Sequence, residues 1–238
     1  MKAGLIAAGL GERLLAAGIA TPKPLVEVAG RPLVDHVLDA VAAAGIDEAA
    51  CIFNAEAPAD AVEAHCRARR GGPRLTIVRR TTPSSMESLF TLAPHLAKDD
   101  RFLLLTVDAV FAPAVLRDFL AAADRHEEAD AVLAVTDFID DDKPLHAAVD
   151  AAGRITALGA PAAGSPLITA GFYVLHSCVL AEIDAAREYH FTALRQFLAH
   201  LVARDYRVYA APMGKTVDVD RPQDIAAADA FVRGGYVS

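Results

Sequence analysis

The segment AAGLGERLLAAGIATPKPLVEVAGRPLV, residues 7–34, combines glycines, basic residues and prolines in an arrangement that core packing does not require. Its first residues finish the apolar run AGLIAA (3–8), which predicts a strand, and Gly9-Leu10-Gly11-Glu12-Arg13-Leu14 follows directly. Glycine has no Cβ, so the backbone of such a loop can approach an anion and turn its amides outward. Helical spacing of apolar residues then predicts a helix near 32–44. A strand, a glycine loop and a helix are the opening unit of an open α/β sheet. Two familiar phosphate loops are excluded. Leu14 stands where a dinucleotide fingerprint needs its third glycine, and Gly214-Lys215-Thr216 has Tyr209 where a Walker A loop needs a glycine and continues as a strand.

Outward from this segment, short apolar runs alternate with helix-period stretches. Strands are expected at 49–54, 74–78, 101–107 and 131–138, with helices near 58–69, 85–96 and 113–125. RFLLLTV (101–107) is the most strongly apolar run, as expected of a strand covered on both faces. After Phe138 the pattern changes to short strands, turns and glycines, predicting a small antiparallel insert. Helices near 177–187 and 192–204, strands RVYAAP and TVDVD, and a last helix opening at RPQDIAAADAF complete the chain.

The 238 residues are 54% hydrophobic, enough for a substantial core, and carry a formal charge of −8. That charge argues against general affinity for nucleic acid or an anionic membrane, while a local basic pocket could still hold a small anion. Cys51, Cys66 and Cys178 have no metal-ligand spacing and fit a disulfide framework poorly, so they read as partly buried thiols in a reducing compartment. MKAGLIAAG reads as a strand rather than a signal peptide, and no apolar run approaches the roughly 20 residues of a membrane span, so a cytoplasmic location is expected.

In Thr21-Pro22-Lys23-Pro24-Leu25, two prolines fix the backbone around Lys23 and hold its ammonium in a defined direction. Alone, such a lysine reads as an exposed loop residue; beside the glycine loop it reads as a phosphate grip. Together, AAGLGERL and TPKPLVEVAGRPLVDHVL resemble the N-terminal signature of the sugar-nucleotide and related nucleotidyltransferases. Members of that family join a nucleoside triphosphate to a phosphorylated or phosphonylated metabolite. The resemblance extends over most of the chain, more weakly through 139–165. It implies a Rossmann-like, doubly wound mixed sheet in one domain, 1–238. Its 1–138 half would bind nucleotide, and its 139–238 half would bind the acceptor and complete the metal site. By the same resemblance Ala7, Ala8, Gly9, Leu10 and Gly11 hold the triphosphate and base, Arg13 binds phosphate, and Lys23 serves catalysis.

The implied cofactor is Mg²⁺, which prefers one or two carboxylates together with water and phosphate oxygens. Asp108 ends the apolar strand and so lies at the C-terminal edge of the sheet, where open α/β folds bind ligands. Its context VDAVF resembles the family's metal-binding aspartate. TVDVDRPQD (216–224) resembles the family's DVDTPEDL-like segment, although Arg221 stands where threonine is common. Strand alternation would send Asp218 and Asp220 to one face. Asp218 aligns best with the family ligand, and Asp220 is either a second ligand or the N-cap of the last helix. The acidic run at 140–142 reads as a solvated turn.

Thr81-Thr82-Pro83-Ser84-Ser85-Met86-Glu87-Ser88-Leu89 connects a strand to a helix. The hydroxyls of Ser84, Ser85 and Ser88 can cap that helix or read a base edge. The loop resembles that of cytidylyltransferases for choline phosphate and phosphonates more than the sugar enzymes' GT-x-x-AL pattern, which favours CTP. The acidic-lysine segment of sugar-1-phosphate enzymes is missing. Thr169 and Gly171 resemble the family's acceptor-side strand entry, with the absent side chain leaving room for the acceptor. Lys215 is the candidate phosphate cation or else a plain surface lysine, and Arg79 and Arg80 could assist.

The resulting expectation is a Mg²⁺-dependent nucleotidyltransferase that joins an NTP to a small phosphorylated or phosphonylated metabolite and releases pyrophosphate. A sugar-1-phosphate enzyme and a non-catalytic nucleotide-binding regulator are the alternatives.

Overall fold

The computed structural model describes residues 1–56, 58–138 and 144–236; the acidic run at 140–142 lies outside them. In chain order the first half comprises β1 (Lys2–Ala7), α1 (Glu12–Ala16), β2 (Glu27–Val28), β3 (Arg31–Pro32), α2 (Leu33–Ala43), β4 (Glu48–Phe53), α3 (Ala59–Ala68), β5 (Arg74–Arg79), α4 (Ser85–Leu96), β6 (Arg101–Thr106), β7 (Ala109–Val110), α5 (Pro113–Ala123) and β8 (Ala131–Thr136). The second half adds β9 (Ala147–Val149), β10 (Ile155–Leu158), β11 (Ile168–His176), α6 (Ile183–Glu188), α7 (Leu194–Ala203), β12 (Val208–Pro212), β13 (Val217–Asp218) and α8 (Pro222–Arg233).

The central sheet has seven strands in the order β12-β8-β11-β6-β1-β4-β5. All neighbours are parallel except β11, which runs antiparallel to both β6 and β8. Helices cover both faces. Alternation along β6 sends Leu103 and Leu105 into a core shared with α2, α5 and α8, and Phe102 and Leu104 into one shared with α4 and α7. This two-sided burial explains the unbroken apolar run that marks β6 in the sequence. From β1 the chain moves outward through β4 to β5, then crosses back to place β6 on the other side of β1. The loops leaving β1 and β6 therefore diverge at the C-terminal edge, the place where open α/β sheets receive ligands.

Three local expectations need correction. The quoted segment contains a helix, α1, which is too short between Gly11 and Gly18 to show periodicity. Within the expected insert β9 and β10 form a separate antiparallel pair, whereas β11 is a full member of the central sheet. TVDVD contributes just β13, which pairs with β7 outside that sheet, and the Val219 N–H donates to the Asp108 carbonyl at 3.0 Å. That pairing brings the C-terminal segment beside the loop leaving β6. No helix among the described residues is long and apolar enough to cross a membrane.

Candidate active site

A cleft of about 450 Å³ opens where the loops after β1 and β6 diverge. Ala7, Ala8, Gly9, Leu10, Gly11, Arg13, Lys23, Ser84, Ser85, Ser88, Asp108 and Asp220, all singled out from sequence, line it. Gly11 is required twice over. Its φ of +64° lies in the left-handed region, and a Cβ there would sit 3.2 Å from Cβ of Lys23. The glycine thus lets the phosphate-loop backbone lie against the lysine segment.

Lys23 begins a short 3-10 turn, Lys23–Leu25, that follows Pro22; the Leu25 N–H donates to the Pro22 carbonyl at 2.7 Å. The turn buries the lysine to 9% exposure and aims it inward. Its Nζ donates to Asp108 Oδ2 at 2.8 Å and to Asp220 Oδ1 at 2.5 Å. Arg13 Nη1 donates to Asp220 Oδ2 at 3.0 Å, so Asp220 lies between two cations. Burial by itself would pull the Lys23 pKa down, but the Asp108 and Asp220 carboxylates outweigh it and the net shift is upward. Burial likewise pushes Asp108 up, and the Lys23 ammonium, helped by the Thr106 hydroxyl, brings it below the ordinary carboxylate value. Lysine and carboxylate are therefore both ionised across the neutral range.

Asp220 is not the cap of the last helix. Asp224 Oδ2 accepts from the backbone N–H of Asp220 at 3.0 Å and of Arg221 at 2.7 Å, which caps α8 and leaves the Asp220 carboxylate turned toward Lys23. Asp108 and Asp220 converge on one cationic point, the ammonium. A pair of carboxylates around one cation suits Mg²⁺, which takes one or two protein carboxylates. Among the described residues no group of three His, Cys, Asp or Glu side chains is close enough to hold an ion. Asp218 is exposed on β13 and outside the cleft lining. Strand pairing ends at Asp218 itself, so the expected alternation does not carry through to Asp220. The phenol of Tyr173 is pushed up to about 12, by burial first and then by the Asp218 and Asp108 carboxylates, while a hydrogen bond with Thr169 opposes the shift. Tyr173 thus feels the charges of both Asp108 and Asp218.

Thr169, Gly171 and Lys215, expected from sequence on the acceptor side, lie outside the cleft lining. Gly171 sits in an irregularity of β11 between Thr169 and Tyr173, with φ +76°. A Cβ there would make only ordinary contact with Thr106 Oγ1, at 3.5 Å, so the left-handed φ rather than lack of space calls for glycine. The Lys215 ammonium stands over the rings of Phe138 and Phe231, at 4.7 and 5.5 Å, a cation–π arrangement that occupies its charge. Arg79 donates to Asp60 and to the Ala55 carbonyl, and neither it nor Arg80 lines the cleft. Cys51 and Cys66 are fully buried and Cys178 is exposed; all three are free thiols.

Ser84 has both expected roles available: it caps α4, accepting from the Glu87 N–H at 3.3 Å, and it lines the cleft. Ser88 is buried and pairs with the Thr82 hydroxyl at 2.6 Å. Sequence reasoning missed Asn54 and Thr106 in the lining. Each lies at or just beyond the end of a parallel strand, and a polar residue at that place is the signal that could have found it.

A model of the MobA-like NTP transferase domain matches residues 3–204, most of the chain. The chain belongs to the MobA-like NTP transferase family. Within curated proteins, this family member is 30% identical over 231 residues to the CMP-5'-(3-aminopropyl)phosphonate synthase of Streptomyces rubellomurinus, covering 90% of this chain and 33% of that protein. It is 46% identical over 76 residues to the N-acetylmuramate alpha-1-phosphate uridylyltransferase of Caulobacter vibrioides, covering 31% of each. The chain therefore spans about a third of the length of the first relative, and its match to the second covers about a third of both proteins. The inositol-1-phosphate CTP transferase of T. maritima superposes with a TM-score of 0.81 at 19% identity, covering 100% of this chain and 98% of that one, a likeness of fold.

Proposed function

We propose that this protein is a divalent-metal-dependent nucleotidyltransferase, joining an NTP, with CTP favoured, to a small phosphonate or phosphate and releasing pyrophosphate. The observation that carries the reading is Lys23, buried between Asp108 and Asp220 on the wall of a cleft formed by the glycine loop. An acceptor oxygen attacks the α-phosphorus of the nucleotide and the pyrophosphate oxygen leaves, so no side-chain nucleophile is needed. The peptide amides of Gly9 and Gly11, with Lys23 and Arg13, offer fixed positive charge to the phosphate oxygens, and such preorganised charge is the main source of acceleration in phosphoryl transfer. Asp108 and Asp220 are the residues that would hold Mg²⁺, which would offset phosphate charge when bound. Asp218, Thr169 and Gly171 are assigned to the acceptor side, within the 139–238 half of a single domain, and Lys215 to an indirect role through Phe138 and Phe231.

Similarity along most of the chain to a CMP-phosphonate synthase supports a cytidylyl donor and a phosphonate acceptor. The stronger but shorter likeness to a sugar-phosphate uridylyltransferase favours, as a second reading, a sugar-1-phosphate acceptor. Pyrophosphate release measured over paired panels of triphosphates and acceptors separates them. Turnover only with CTP and phosphonates supports the first reading, and turnover with UTP and a sugar-1-phosphate supports the second. Nucleotide binding with no pyrophosphate from any pair would contradict both. The reaction needs no partner beyond its small substrates, and a cytoplasmic location with its NTP pool suits it.

A further inference from the structure

Asn54 is the first residue after β4, the strand between β1 and β5. The parallel register aligns Ala7, Phe53 and Arg79 across these strands, so Asn54 comes level with Ala8 on one side and the start of the Thr81 loop on the other. Its carboxamide is matched to both neighbours. Nδ2 donates to the Ala8 carbonyl at 3.0 Å, while Oδ1 accepts from the Thr81 hydroxyl at 3.0 Å and from the Glu56 N–H at 2.9 Å. One end donates and the other accepts, which a carboxylate or an alkyl group cannot supply and a hydroxyl supplies only from a single atom.

Each bond constrains a different wall of the cleft. The Ala8–Gly9 peptide is planar, so fixing its carbonyl toward Asn54 turns the Gly9 N–H away from β4 and toward the β6 side, where Asp108 lies. Holding the Thr81 hydroxyl anchors the loop into α4, whose Thr82 hydroxyl pairs with that of Ser88 on the helix at 2.6 Å. In the proposed nucleotide site the first wall grips phosphate, and the second presents the Ser84, Ser85 and Ser88 hydroxyls that would read the base. We propose that Asn54 is a positioning residue that sets these two walls in one register, so that triphosphate affinity and base discrimination both depend on it. This rests on the NTP-binding reading of the cleft and extends it to a residue outside the glycine loop.

The test measures equilibrium binding of ATP, CTP, GTP and UTP with Mg²⁺ to the full chain and to Asn54→Ala, Asn54→Asp, Thr81→Val and the double variant Asn54→Ala/Thr81→Val. Asn54→Ala is expected to weaken the preferred NTP about tenfold, the size of one or two net hydrogen bonds, and to narrow its margin over the other bases. Thr81→Val should lose base discrimination while keeping most of the shared triphosphate affinity. Asn54→Asp keeps the acceptor oxygen and should do the reverse. In the double variant, base discrimination should be no worse than in Asn54→Ala alone. A purely structural residue would lower the melting temperature without changing the ranking of bases. Unchanged affinity ratios in Asn54→Ala and Thr81→Val, or additive losses in the double variant, would overturn the inference while leaving the nucleotide site intact. Should Asn54→Ala not fold, Thr81→Val and Asn54→Asp decide it by their opposite patterns. No binding of any NTP by the unaltered chain overturns the nucleotide reading, and this inference with it.

Discussion

Replacing Lys23 by Met keeps an unbranched stem out to the ε position and removes the charge from between two carboxylates. For catalysis, the loss of one preorganised charge stabiliser in other enzymes costs about 10²–10³ in turnover, and a comparable loss is expected here. For stability, removing one partner of a buried ion pair costs about 3–5 kcal/mol. Asp108 and Asp220 keep 29% and 43% of their side-chain surface, so solvent takes up part of that, leaving about 1–3 kcal/mol. In a chain of this size each kcal/mol is worth about 2–4 °C, so the melting temperature should fall by roughly 3–10 °C. Mg²⁺ should restore much of the loss without nucleotide, because the freed carboxylates then share one cation; saturation at about 100 Kd is worth about 2.7 kcal/mol. In the unaltered protein Lys23 already fills that place, and Mg²⁺ alone should raise the melting temperature less. The assays are thermal unfolding with and without Mg²⁺ and pyrophosphate release with the best substrate pair. Turnover equal to that of the unaltered enzyme refutes the catalytic role, and an unchanged melting temperature indifferent to Mg²⁺ refutes the ion-pair argument.

Two further consequences concern the same cluster. Asp224→Ala removes the acceptor for the Asp220 and Arg221 amides; a lost cap costs about 1 kcal/mol. Turnover should fall about tenfold through misplacement of Asp220, with Asp224→Asn restoring part of both, and normal turnover at reduced stability would show that the cap is structural alone. The stability gained from the Lys23–Asp108 pair should follow the signs of the two shifts. Asp108 is lowered, so its contribution is present above its ordinary value of 3.8 and is lost as pH falls through the depressed one. Lys23 is raised, so its contribution is complete below 10.5 and is lost only at still higher pH. The melting-temperature gap between the unaltered protein and Lys23→Met should therefore stay level from about pH 5 to 9 and close in acid. A gap that closes near neutrality would point to a different titrating group.

The fold was legible where burial imposes a pattern. FLLLT announced the central strand because both of its faces are covered, and VDHVLDAV announced a helix with one buried stripe. Lys23 and Asp108 were legible because chemistry imposed unusual neighbours on them, prolines on one side of the cleft and a strand end on the other. Asp220 was ambiguous for a physical reason: capping and ion pairing use the same carboxylate, and only the geometry of Asp224 separates the two. Thr169, Gly171 and Lys215 were harder, since a strand irregularity and cation–π stacking depend on contacts far apart in sequence. Asn54 left only a polar side chain after an apolar strand. Its meaning comes from which strands flank β4, an order that crossover topology decides and local sequence does not.

In the proposed reaction one crevice holds a triphosphate between the glycine loop and a cation on Asp108 and Asp220. Crystals grown with Mn²⁺ and a non-hydrolysable CTP analogue test it through the anomalous signal of the metal. The expected result is a manganese peak at coordination distance from Asp108 and Asp220, phosphates against Gly9 and Gly11, and the Lys23 ammonium moved onto a phosphate oxygen. A metal bound away from both carboxylates, or a triphosphate lying outside this cleft, would contradict it.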